Sequence, residues 1–167
     1  MPKGALALAA KAATQTNADP DEALDAILAA FQEVVDCQTV LTTHIDSTDI
    51  HILKVLNTQP DALDVPEGLT IPRTASPCMH IAEDVAPYNS LDMHADPHLA
   101  DLPAAKDMGA TTYFGVPVLL PDGTFFGSFA ALDTGKKDHS EDTTQAMQVL
   151  ARLAGEQLAR QRDAQSA

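Results

Sequence analysis

The sequence predicts an α+β fold, an antiparallel sheet with helices packed on it. Two observations predict it: runs rich in β-branched and aromatic residues follow one another through short polar turns, and the segments with helical apolar spacing lie near the chain ends. Strands joined by tight turns pair antiparallel, and helices set apart at the termini cover the sheet.

Taken in order, Gly4 to Thr14 is rich in Ala, Leu and Lys and predicts a first helix, interrupted by Thr16-Asn17-Ala18-Asp19. Asp19 is a good N-cap, Pro20 suits the first helical position, and Asp21 and Glu22 complement the positive end of the helix dipole. Leu24, Ile27, Leu28, Phe31, Val34 and Val35 then recur at helical steps and predict one buried face. Gln38 to Ile45 and Ile50 to Leu56 predict a hairpin around Asp46-Ser47-Thr48-Asp49, and Asn57 to Pro72, with three prolines, predicts a loop. Ser76-Pro77 predicts the capped start of a short helix to about Asp84. Val85 to Leu91 predicts a short strand, and Asp92 to Gly109 a loop with one or two helical turns.

Thr111 to Leu120 and Thr124 to Leu132 carry the strongest strand signals, joined by Pro121-Asp122-Gly123 with a glycine for the tight turn. Ser140 or Asp138 then caps a last helix, along which Met147, Leu150, Leu153, Ala154 and Leu158 recur at helical spacing. The expected division is an N-terminal helix over 1–18, one domain over 19–160 and a polar tail over 161–167.

Composition narrows the function. The 167 residues suit one domain with a single core. A formal charge of -14 repels phosphate backbones and anionic lipid headgroups, so neither nucleic acid nor a membrane is an expected partner. The Ala-rich start carries Lys11 and no cleavage-like signal, and two cysteines without a CxxC fit a reducing compartment, so the expected location is the cytosol.

The block Phe114-Gly115-Val116-Pro117-Val118-Leu119, then Asp122-Gly123, Phe126-Gly127-Ser128-Phe129 and Leu132-Asp133, resembles the core pattern of GAF domains. Asp92-Met93-His94-Ala95-Asp96-Pro97, with Leu99 and Leu102, is similar to the family's preceding segment, and Ile71 to Ile81 to its short helix. The resemblance covers roughly Asp21 to Leu158. It implies a profilin-like, PAS-like six-stranded antiparallel sheet with a ligand cavity on one face, under the short helix and the long loop. It places the first and last helices on the other face, often pairing with a second subunit. Apart from the resemblance, Gly115 and Gly127 permit close approach to a strand, and Pro117, lacking a donor, belongs at an edge or bulge.

The candidate site is that cavity, with Ser76, Cys78, Met79, His80, Tyr88, Asp92, His94, Tyr113, Phe114 and Phe129 as expected ligand-binding residues. With Ser76 as cap, the backbone donors of Cys78 and Met79 are expected to be free for an anion or a carbonyl oxygen. Tyr88, Tyr113, Phe114 and Phe129 are expected to supply apolar walls with two hydroxyls. His94 and His98 flank Asp96, but a solvated Asp-Pro turn accounts for them and no metal is assigned. Members of the family that reduce free methionine sulfoxide use several cysteines that this chain lacks. No cysteine lies between Asp92 and Leu120, where members that attach a tetrapyrrole carry one, and the signature of cyclic-nucleotide-binding members is absent. Ser128, His139 and Asp133 are the types of a hydrolytic triad without a GxSxG, so no catalytic residue and no cofactor is assigned. The expected function is a non-enzymatic sensor that binds a metabolite or anion, as a homodimer, and signals in trans to a histidine kinase or other effector. The alternatives are a dimerisation module without ligand and a thiol switch or small enzyme using Cys78.

Overall fold

The structure, a computed structural model, describes residues 19–59, 63, 65–107, 109–137 and 140–166. The helix expected over 1–18, and Asp138 as an alternative cap, lie outside these residues.

Helix α1, Pro20–Val35, starts where its cap predicts: the Asp19 carboxylate accepts from the Asp21 N–H at 3.4 Å. All six residues of the expected apolar face are buried. The helix stops at Asp36, which turns into the left-handed region at φ 52° and donates its N–H to the Gln32 carbonyl. Strands β1, Thr39–Ile45, and β2, Asp49–Asn57, form the expected hairpin around Asp46, whose carboxylate accepts the N–H groups of Thr48 and Asp49 at 2.9 and 2.7 Å.

The segment predicted as loop to Pro72 ends instead in a short strand, β3, Thr70–Pro72, antiparallel to β2. Three residues are too few to display alternation, and the flanking prolines hide them. Helix α2, Cys78–Asp84, strand β4, Tyr88–Ser90, a 3-10 turn at Met93–Ala95 and the one-turn helix α3, Pro103–Lys106, follow as expected in kind, but α2 begins one residue later than expected, with Pro77 and not Ser76 at its cap. Strands β5, Thr112–Leu119, and β6, Phe125–Asp133, pair through a turn in which Gly123 takes φ 88°. Helix α4, Glu141–Ser166, is capped by Ser140, whose Oγ accepts the Thr143 N–H at 3.2 Å. The polar stretch expected as a tail continues this helix to Ser166.

The six strands lie in the order β3-β2-β1-β6-β5-β4, with every neighbour antiparallel. Because side chains alternate across a strand, the sheet has two inner faces. Val40, Phe114, Val116, Val118, Phe129 and Ala131 pack with α1 and α4 on one. Leu41, Ile50, Ile52, Tyr113, Ala130 and Leu132 pack on the other, against α2 and the irregular segments carrying Leu63, Met93 and Leu99.

Three positions fix how closely these layers meet. Pro117 pairs with Ser128 of β6, but β4 reaches only as far as Gly115, so on its other side Pro117 lies on open edge, where a missing donor costs nothing. A Cβ at Gly127 would fall 1.9 Å from the Thr43 carbonyl oxygen, so β6 approaches β1 backbone to backbone there. A Cβ at Gly155 of α4 would fall 2.1 Å from the carbonyl oxygen of Leu119, so the helix rests directly on the end of β5.

Candidate functional site

The face of the sheet opposite α1 and α4 does not close against its cover, and a cavity of about 200 Å³ remains. Leu41, Ile52, Tyr113, Ala130 and Leu132 form its floor. Its roof comes from Val65, Pro66, Leu69 and Ile71 before and within β3, from Ala75 to Cys78 at the start of α2, and from Pro103 and Ala104 of α3. The cover is therefore shared between the short helix, the long loop and the earlier proline-rich segment. That last part was not expected from the sequence. Proline-broken backbone cannot lie flat on a sheet as a helix does, which leaves the gap.

Beneath the roof lies a buried polar chain. Tyr113 and Ser128 each donate a hydroxyl hydrogen bond to Cys78 Sγ at 3.2 Å, and the Ser128 and Thr43 hydroxyls lie 2.7 Å apart. Tyr113 reaches Cys78 because it lies across Gly115: a Cβ there would meet the tyrosine oxygen at 2.6 Å and Ile81 Cδ1 at 2.3 Å. The close approach expected at Gly115 is thus made by side chains rather than backbone. Burial, followed by the neighbouring Cys78, pushes the Tyr113 phenol well above its ordinary range, so it stays a neutral donor.

Of the residues expected to bind ligand, Ser76, Cys78 and Tyr113 line the cavity. Phe114 and Phe129 do not: they project to the opposite face, where Phe129 packs on Phe31 with ring centroids 5.0 Å apart. Both faces of β5 and β6 are apolar because both are covered, so hydrophobicity alone could not tell wall from core. The donors expected to be free are also engaged, the Cys78 N–H by Ser76 Oγ and the Met79 N–H by the Ser76 carbonyl, both at 3.2 Å. Met79 is half-buried outside the lining.

Asp92 caps the turn at His94 and lies 3.3 Å from the Lys136 ammonium, while His94 is exposed. His80 stacks on Tyr88 at 4.9 Å, and the Tyr88 hydroxyl donates to Asp96 at 2.7 Å. Burial and then Asp96 raise the Tyr88 phenol to about 12. None of Asp92, His94, His80 and Tyr88 lines the cavity. Ser128 and Asp133 do not meet: Asp133 accepts the N–H groups of Gln38 and Gly135 at the far end of β6. Leu41, Ile52, Ala130 and Leu132 were missed because nothing marks one core-facing aliphatic side chain as the floor of a hollow.

A family model described as GAF domain matches residues 19–158. The chain belongs to the GAF domain family. The solved structures agree on the fold. The GAF domain of Acinetobacter phosphoenolpyruvate-protein phosphotransferase is 11% identical, with a TM-score of 0.76 and all of both chains covered. The phycocyanobilin-bound GAF domain of a cyanobacterial phytochrome is 13% identical, with a TM-score of 0.74 over 96% of each chain. Among curated proteins, the chain is 25% identical over 139 residues to diguanylate cyclase DgcP of Escherichia coli (strain K12). That match takes in 80% of this chain and only 39% of the cyclase. GAF domains are a sensory and regulatory family found in signalling proteins. Among the described residues, no helix is long and apolar enough to cross a membrane, and no group of three or more His, Cys, Asp or Glu is placed to hold a metal ion.

Proposed function

We propose that this GAF domain is a sensor that takes up a small molecule non-covalently between the sheet and its irregular cover, and reports occupancy to a partner protein. The cavity of about 200 Å³ carries the proposal, since native interiors are otherwise packed to crystal density. Its roof is made of three short segments that come from separate stretches of the chain, which contacts to one ligand would tie together. The floor strands also carry, on their other side, the residues that support α1 and α4.

The proposal makes the chain a binding module without catalysis of its own, acting in the cytosol as a homodimer and speaking in trans to a histidine kinase or another effector. The acidic charge of -14 and the two buried free cysteines suit that setting. The test is native mass spectrometry of freshly purified protein. A non-covalent adduct is expected in the wild type and not in Ala130→Leu, whose added carbons fill the floor. If neither protein carries an adduct, and a metabolite panel leaves the melting temperature unmoved, the cavity is a packing gap and the sensory role is lost.

A further inference from the structure

The chemistry of the cavity wall narrows what it can hold. No charged side chain lines it among the described residues. The backbone donors at the start of α2 are used internally, by Ser76 Oγ and by the Ser76 carbonyl. A carboxylate or phosphate placed here would lose its water and find no cation or free N–H group in return, at a cost far beyond what apolar contact returns.

What remains polar is small and neutral. Ser76 Oγ accepts from Cys78, while its own proton is committed to no described neighbour. The Tyr113 oxygen donates its proton to Cys78 and keeps a lone pair. One donor and one acceptor are therefore on offer, set in walls of Leu, Ile, Val, Pro and Ala. The size is limited too. About 200 Å³ lies below the range of pockets for drug-sized ligands and just above a cavity of roughly 150 Å³ that accommodates benzene.

We propose that the cavity takes an uncharged, largely apolar molecule about the size of one substituted ring, whose single hydroxyl accepts from Ser76 and donates to the Tyr113 oxygen. This rests on the sensory role proposed above and replaces the anion that the helix start suggested. It excludes nucleotides and organic acids by charge.

Benzyl alcohol, benzoate and toluene are matched probes that differ in charge and in the hydroxyl, and the full chain can be titrated with each by calorimetry and thermal melting. Benzyl alcohol is expected to saturate one site and to raise the melting temperature by about 5 °C at a hundredfold excess over its Kd. Benzoate should bind at least about 100-fold more weakly. Tyr113→Phe should weaken benzyl alcohol about fivefold and leave toluene unchanged. Ala130→Leu should abolish both, with Ala104→Leu in the roof as the second blocking variant should the first not fold.

Benzoate binding as tightly as the alcohol, and blocked by those variants, would overturn the neutral-ligand assignment while leaving the sensor intact. So would an adduct in native mass spectrometry, lost in Ala130→Leu, from a protein that ignores both neutral probes. No adduct and no binding by any probe would end both proposals.

Discussion

The two faces of the sheet are built from the same strands and nearly the same residue types, yet one is solid and the other hollow. On the solid face two long helices lay regular apolar stripes on Phe114, Val116, Phe129 and Ala131, and Phe31 meets Phe129 ring to ring. On the hollow face the cover is a seven-residue helix, a single helical turn and proline-broken chain. The floor there includes the small Ala130. Close packing comes from the covering element, not from the hydrophobicity of the surface it covers.

Adjacent residues of β6 make the sharpest contrast. Phe129→Ala opens a void on the solid face and is expected to cost about 3–5 kcal/mol, whereas Ala130→Leu on the hollow face should change stability by less than about 1.5 kcal/mol. Urea denaturation measures both, and equal losses would mean that the hollow face is as tightly packed as the other. The glycines divide similarly. Gly127→Ala drives a methyl into the Thr43 backbone and should cost about 2–3 kcal/mol, while Gly115→Ala meets movable side chains and should cost about 1 kcal/mol. Gly115→Ala should nonetheless disturb probe binding, because Tyr113 has to move.

Cys37 tests the solid side by pH. Burial, and then the Asp133 carboxylate, push its thiol from 9.0 to about 12. An acid held neutral by the fold contributes stability that is complete below pH 9.0 and lost as the pH rises towards 12. Between pH 9 and 10 the Cys37 contribution should fall by about 1 kcal/mol, beside a smaller loss from the raised phenols of Tyr88 and Tyr113, and Cys37→Ala should make the slope in denaturation curves shallower by the Cys37 part. The smallest effect belongs to the hollow side. Val85 ends α2 at φ 48° and ψ 50°, a conformation that a β-branched residue resists. Val85→Gly should raise the melting temperature by roughly 1–3 °C, a stabilisation of about 0.5–1 kcal/mol.

Much of the framework was legible before any coordinates. Asp19, Ser140 and Gly123 announced their caps and turn, and the stripes on α1 and α4 had enough repeats to define a buried face. The site was less legible. Tyr113 and Phe114 are neighbours of similar character, and only strand register against β6 and β4 sends one to the cavity and the other to the core. Strand β3 was hidden by its length. The engaged donors at Ser76 followed from one rotamer and one turn of backbone, which residue types do not encode.

Gly155 carries a consequence for how such a molecule can respond. At that turn α4 meets the carbonyl of Leu119 with no side chain between them. Side chains act as springs, able to swap rotamers and absorb a small displacement, and here there is none to compress. A shift of the outer end of β5 must therefore be passed to the helix as rigid-body motion instead of being dissipated in the packing.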